Sequence, residues 1–209
     1  MNVLPLQEIF RTAALGEEIR MFEFRYHVGN ANGLLLLNAM GEPYATLTIN
    51  MPDERVGKDE FIIKNYSENE DLALSMFFRG IFIDTGRRIP TGFVIVPVWK
   101  LLRKRAENMP TFEVYYSKDP RLSMSGEQEI SFDQLNKTHV ALLSLKASNK
   151  DEVYQIMQGE IWSPKGQARR LITSKGLRHT SMSMGDVVKE FTPTGPICWK
   201  AKLSGWEEI

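Results

Sequence analysis

Alternation of apolar and polar side chains dominates the first half of the chain and predicts β-strands. Residues 44–50 alternate most clearly, and residues 19–28, 34–38 and 61–64 are bounded by turn-like segments. Several short strands separated by turns are typical of an antiparallel meander. Residues 6–14, by contrast, predict a short amphipathic helix.

Helical periodicity begins near residue 67. Ser67 and Glu70 have the spacing of a capping box. In that motif the serine side chain accepts from the glutamate amide, and the glutamate side chain accepts from the serine amide. We therefore expect a helix over residues 68–78 that ends at Gly80. Further strands are predicted for residues 81–83 and 92–98.

The second half mixes strands with capped helices. Asn149 and Glu152 predict a helix with an N-cap, and Pro164 stands near the start of another helix over residues 164–174, ended by Gly176. Strands are expected over residues 111–116 and 140–145 and in a closing hairpin of residues 186–191 and 197–203.

These elements indicate two small domains that meet near Asn108-Met109-Pro110, covering residues 1–106 and 107–209. The chain has 209 residues, of which 43% are hydrophobic and 25% charged, as in ordinary globular proteins. We expect an α+β fold in which each domain is a mostly antiparallel sheet with one or two helices packed on one face.

Charge and cysteine content exclude several functional classes. The 26 basic and 26 acidic residues balance, so the whole chain offers no long-range field for nucleic acid or an anionic membrane. No apolar run approaches the ~20 residues that span a bilayer, and the N-terminus lacks the basic region of a signal peptide. The single Cys198 favours a reducing cytoplasm. We expect no metal and no cofactor, since one cysteine and three scattered histidines form no zinc motif.

Residues 176–188 concentrate the most polar chemistry. An arginine that pairs with an oxyanion, next to donating hydroxyls, would suit an anion or nucleotide. The alternative is a loop whose hydroxyls satisfy its own backbone. The chain shows no catalytic motif and is expected not to be an enzyme, but His179, Ser181 and Asp186 would be the first candidates for a catalytic site. The candidate binding residues here are Arg178, His179, Thr180, Ser181 and Ser183.

Two other segments combine basic residues in ways that suit binding. Trp162 precedes Arg169 and Arg170, the mixture found on nucleic-acid and protein-binding surfaces, unless the tryptophan is in the core and the arginines are merely solvated. A short basic cluster could contact phosphates or form a solvated linker. Its members are Arg103, Lys104 and Arg105.

Two sets of segments are also similar to known families. The first set comprises residues 44–53, 61–70 and 92–98, with Lys-Asn-Tyr-Ser-Glu-Asn-Glu at 64–70 as its most specific run. Over roughly residues 20–102 it resembles a small uncharacterised domain of bacterial conjugative elements and phages. The second set comprises residues 158–164, 176–188 and 205–208. From about residue 112 it looks like a phage-encoded domain and is more loosely similar to YodL-like domains of mobile elements.

The resemblance implies no particular chemistry. It implies an accessory protein of a phage or plasmid in a bacterial cytoplasm, where such proteins often inhibit host machinery or defence. We therefore expect a host or phage protein as the partner. Nucleic-acid binding is the second functional class, with candidate residues Arg103, Lys104, Arg105, Arg169, Arg170 and Arg178.

Overall fold

The computed structural model describes residues 7–29, 31–119, 121 and 130–209. It contains about 41% strand and 24% helix, with three antiparallel sheets, so the α+β class is confirmed. The described residues divide into two compact units. The first comprises the chain up to Ala14 together with Ile19–Asn108, and the second comprises Leu15–Glu18 together with Met109–Ile209.

The first unit begins with a four-stranded meander in the order β1-β2-β3-β4. Its strands are β1 (Glu8–Ala14), β2 (Glu17–Arg25), β3 (Asn32–Leu37) and β4 (Pro43–Thr46). The expected helix over residues 6–14 is wrong, because residues 8–14 form β1; residue 6 lies outside the described residues. Side chains on both faces of β1 are buried, so it lacks the alternation that marks a half-buried strand.

The first unit also has a three-stranded sheet, where a single sheet was expected. It contains β5 (Glu60–Ile62), β6 (Phe82–Thr91) and β7 (Val94–Leu101) in the order β5-β7-β6. The expected meander is therefore wrong for residues 61–64. Thr48, just after β4, bridges to Ile63, so the segment expected as one strand over residues 44–50 passes from one sheet to the other. One face of the three-stranded sheet buries Ile62, Ile89, Val96 and Val98.

Helix α1 (Glu70–Met76) begins later than expected, and the capping box is wrong. Ser67 lies in a 3-10 turn at φ +53°, and neither this turn nor α1 has a side-chain cap. Glu68 pairs with Lys64, and the Asn69 side chain donates to the Thr46 carbonyl at 2.7 Å. A π-helical turn, Phe77–Ile81, follows α1, and α2 (Arg103–Asn108) ends the unit.

The second unit contains a five-stranded sheet in the order β12-β11-β10-β8-β9. The expected closing hairpin is confirmed, with Val188 opposite Trp199. One face packs Tyr115, Val187 and Cys198 against the one-turn helix α3 (Leu135–Thr138) and Ile130. The strands are β8 (Thr111–Ser117), β9 (His139–Lys146), β10 (Val187–Thr192), β11 (Gly195–Ala201) and β12 (Trp206–Glu208).

Charged side chains cover the outer edge of β9, the last described strand of this sheet. The Ser144 amide donates to the Glu18 carboxylate at 2.8 Å, and the Lys175 ammonium donates to the Ala141 carbonyl at 2.7 Å. These groups occupy backbone positions that would otherwise be open to another strand.

Three helices separate β9 from β10: α4 (Lys150–Ile156), α5 (Gly159–Trp162) and α6 (Arg169–Ser174). The expected N-cap of α4 is confirmed, because Asn149 Oδ1 accepts from the Glu152 amide at 2.9 Å. The helix expected from residue 164 starts only at Arg169, since Gly166 turns the chain at φ +77°. Gly176 ends α6 at φ +71°, as expected.

The domain boundary near residue 106 stays a prediction that limited proteolysis can test. Lys104 and Arg105 are exposed, and we expect brief trypsin treatment to give two stable fragments cut between Leu101 and Thr111. Intact mass measurement identifies the cut. Trypsin should cut the variant Lys104→Ala/Arg105→Ala more slowly at this position. A single resistant core of 209 residues would contradict the division into two domains.

Candidate functional site

The centre of the polar run at residues 176–188 is the carboxylate of Asp186, which is completely buried. Its Oδ1 accepts from the Ser117 amide at 2.8 Å, and its Oδ2 accepts from the Ser183 amide at 2.8 Å and from the Ser183 hydroxyl at 3.3 Å. His179 Nε2 lies 3.0 Å from Oδ2. A buried carboxylate is tolerated when donors surround it in this way.

His179 is a partner of this carboxylate and is largely enclosed. Its ring stacks on Tyr116 with a centroid distance of 4.6 Å, and its side chain is 19% exposed. With Nε2 directed at Asp186, the other ring nitrogen, Nδ1, is buried and has no hydrogen-bond partner within the described part of the chain. Neither nitrogen is therefore presented to a molecule in solvent.

The neighbouring residues join the loop to the helices. The Thr180 carbonyl accepts from the Tyr116 hydroxyl at 2.8 Å and from Trp162 Nε1 at 3.1 Å. Ser181 Oγ accepts from the Gly159 amide at 2.9 Å, at the start of α5. These contacts are those of a loop whose polar groups hold its own surroundings together.

Trp162 belongs to the core. It is fully buried, which agrees with the core alternative considered for it and removes it from any binding surface. Tyr116, on the sheet beneath the loop, is also fully buried, and burial together with the nearby Asp186 charge raises the pKa of its phenol well above the usual value.

A second histidine, which the sequence analysis did not select, meets the same turn. His139, the first residue of β9, is 1% exposed; its Nε2 donates to the Gly185 carbonyl at 2.8 Å, and its Nδ1 accepts from the Thr138 hydroxyl at 2.8 Å. Burial lowers the pKa of His139, although the Gly185 carbonyl and Asp186 oppose the shift. Residue spacing gives no sign of this contact, because pairing of distant strands creates it.

The remaining candidate residues lie at the surface. Arg169 and Arg170 begin α6 and are exposed, and Arg178 is exposed beyond its end. In the first unit, Arg103 is half-buried between Glu23 at 2.8 Å and Asp59 at 3.0 Å. Of the basic cluster, only Lys104 and Arg105 remain exposed.

The sequence carries one further charge signal that the overall balance conceals. Between Glu160 and Asp186 the chain has no acidic residue, but it has five basic ones. Because the whole chain holds 26 of each sign, the remainder has five more acidic than basic residues. The neutral total therefore conceals a basic stretch of the sequence that contains α6. The five are Lys165, Arg169, Arg170, Lys175 and Arg178.

Among the described residues, no group of three or more histidine, cysteine, aspartate and glutamate side chains is placed to hold a metal ion. In that same part of the chain, no helix is long and apolar enough to cross a membrane.

No protein-family model, no curated protein and no solved structure matches the chain.

Replacing Asp186 should destabilise the second unit strongly. In Asp186→Asn, an amide NH₂ must face backbone donors, and we expect a loss of about 2–4 kcal/mol from the free energy of unfolding. Thermal and urea unfolding measure this. Ser183→Ala removes only the longer hydroxyl bond and should cost about 1 kcal/mol or less; an Asp186→Asn protein as stable as the wild type would contradict the assignment.

His139 should make stability depend on pH. Its pKa is lower in the folded state than the ordinary 6.5, so the unfolded chain binds the proton more readily. The contribution of neutral His139 to the free energy of unfolding is then fully present above about pH 6.5. It is lost as the pH decreases towards the folded pKa, by at most about 1.4 kcal/mol per pH unit. Urea unfolding at several pH values between about 7.5 and 5, the range in which histidines ordinarily titrate, measures how the free energy of unfolding changes with pH. His139→Gln should flatten the curve, and an unchanged slope would rule out this cause.

Proposed function

We propose that the chain is an accessory protein of a phage or another mobile element, acting in the bacterial cytoplasm by binding a host protein. The proposed origin and location depend on the resemblance of residues 20–102 and of the second half to domains of such elements. The proposed mode of action depends on an exposed apolar surface of the first unit.

This surface, the hairpin patch, consists of Pro90, Phe93 and Ile95 at the tip of the β6–β7 hairpin. Ile95 lies opposite Pro90 in the antiparallel register, and Phe93 follows Gly92, which turns the chain at φ +60°. Phe93 is fully exposed and Ile95 is 65% exposed. This patch is the observation that carries the proposal, because grouped exposed apolar side chains commonly mark interaction sites.

The two faces of the hairpin differ in a way that suits a binding element. Ile89 and Val96, which pair on the opposite face, are buried in the core of the three-stranded sheet. The hairpin is thus anchored by one face while the other meets solvent. Since strand residues two apart share a face, Ile95 is on the same side as Trp99, about 13 Å further along β7.

An aromatic group continues this side of the sheet. Trp99 is buried against Phe77 at a centroid distance of 4.8 Å, and the neighbouring Phe78 is 73% exposed. Large apolar side chains that enter a partner's pocket supply most of the binding energy in protein interfaces, with about 1.5–3 kcal/mol available for a fully buried phenylalanine. Phe93 has the size and exposure of such an anchor.

Two ion pairs lie at the base of the hairpin, and one of them connects it to another segment of the unit. Arg88 pairs with Asp84 at 2.6 Å, and Arg87 pairs with Glu54, which belongs to a different segment of the same unit. A surface ordered before binding loses less conformational entropy when the complex forms. These contacts therefore support the hairpin patch as a prepared surface rather than an incidental exposure.

The geometry of the polar run gives no support to a catalytic role for its residues. The base, nucleophile and acid that catalysis would require are His179, Ser181 and Asp186, and each is engaged in a structural contact: His179 with Asp186, and Ser181 with the Gly159 amide. General-base catalysis needs a nitrogen within reach of the substrate proton, whereas both His179 nitrogens are directed inward.

The proposal predicts a partner that is lost when the hairpin patch is removed. The tagged protein is recovered from bacteria during phage infection or conjugation, and Phe93→Ala/Ile95→Ala is compared with the wild type by quantitative mass spectrometry. We expect recovery of the partner to fall at least about tenfold, which corresponds to about 1.4 kcal/mol. Direct titration of the purified partner then measures the same loss.

Met40→Ala is the matched control, because Met40 is 85% exposed at a different turn of the same unit. It should retain the partner. Both variants should keep the wild-type unfolding midpoint, since their side chains are exposed. Failure to recover any reproducible host or phage protein, or equal recovery with the hairpin variant, would overturn the proposal.

A further inference from the structure

We propose that the second unit has an additional activity: it binds the phosphate backbone of nucleic acid through Arg169, Arg170 and Arg178. We call these three residues the arginine surface. This activity is separate from the hairpin patch, which lies in the first unit, and it goes beyond the protein-binding role.

The first support is that these three guanidinium groups are exposed and make no ion pair within the described residues. Some arginines of the first unit are paired with acidic side chains instead, as Arg88 is with Asp84 and Arg103 is with Glu23 and Asp59, whereas Arg105 is exposed. An exposed arginine without an acidic partner retains its full charge and its hydrogen-bond donors for a ligand. Phosphate is the group that guanidinium recognises best, through paired N–H bonds.

The second support is the absence of acidic residues from the sequence between Glu160 and Asp186. No carboxylate within this segment competes with a ligand for the arginines. The charge balance of the whole chain is therefore compatible with one positive surface, because the excess of acidic residues lies elsewhere in the sequence. Binding to such a surface is local and sensitive to salt.

The third support is the shape of α6. Arg169 and Arg170 are exposed on its first turn, Thr173 and Ser174 are exposed on the next, and Ile172 is buried against the unit. A helix of this length extends about 9 Å, which is close to the axial rise of two or three phosphates of one strand at about 3.4 Å each. Arginines and exposed hydroxyls thus share a surface of a size that fits a short stretch of backbone.

The burial of Trp162 defines the mode of binding. A stacking platform for unpaired bases needs an exposed aromatic ring, and the tryptophan that precedes α6 is in the core instead. Contacts to phosphates position a protein on nucleic acid without reading its sequence. We therefore expect binding that is independent of base sequence.

Fluorescence anisotropy with labelled DNA and RNA duplexes, and with their single strands, tests the proposal on the full-length protein. Three phosphate contacts predict that the logarithm of affinity falls with a slope of about −2.7 against the logarithm of salt, so binding to duplex DNA weakens about 40-fold from about 50 mM to about 200 mM. Scrambling the base sequence should leave the affinity unchanged. Vesicles containing an anionic lipid serve as a second ligand.

Arg169→Ala/Arg170→Ala should weaken binding at least about tenfold at low salt and reduce the slope by about two. Lys104→Ala/Arg105→Ala is the matched control, because it removes two exposed cations from the first unit and should leave affinity unchanged. Arg178→Ala, outside α6, should weaken binding by itself. It also keeps the test valid if the double variant does not fold, as judged by circular dichroism.

Several results would overturn the inference. One is no binding to any nucleic acid at about 50 mM salt, where three phosphate contacts are least screened. Another is equal loss in the two double variants, which would indicate a general charge effect. Binding to the anionic vesicles but not to nucleic acid would assign the surface to a membrane ligand instead.

Discussion

The buried carboxylate of Asp186 is the interaction on which the second unit depends. It joins the end of β8 through the Ser117 amide, the turn before β10 through Ser183, and the loop after α6 through His179. Removing a charge from water costs several kcal/mol unless donors replace the lost hydration. Those donors come from separate parts of the chain. If any one of these segments is displaced, the carboxylate loses a donor and the cost of its burial is no longer offset. Sheet, loop and helices are therefore held together as a single cooperative arrangement.

Local signals in the sequence were enough wherever the physical cause is itself local. The alternation of β2, the β10–β11 hairpin and the Asn149 cap depend on neighbouring residues, and all three are present in the structure. Strand β1 was mistaken for a helix because its side chains are buried on both faces. The assignment of β5 to a second sheet depends on pairing with β7, which no local pattern encodes. Ser67 failed as a cap because the surrounding residues have other partners, such as Thr46 for Asn69.

The site was only partly accessible to sequence reasoning. The density of polar groups at residues 176–188 correctly identified an unusual segment, but not that Asp186 is buried or that His139 contacts the same turn. These features arise from the alignment of β8, β9 and β10. The charge asymmetry around α6, in contrast, is written in the sequence. The composition conceals this asymmetry because the totals of basic and acidic residues over the whole chain are equal.

The covered edge of β9 has a consequence for how the protein behaves when it is crowded. A sheet grows by adding a strand to an open edge, and this is the usual route to fibres. Glu18 and Lys175 occupy backbone groups at one end of the five-stranded sheet, and β12 at the other end has only three residues. The five-stranded sheet is therefore a poor template for polymerisation. At high concentration the chain is in this way protected from one of the commonest causes of protein precipitation.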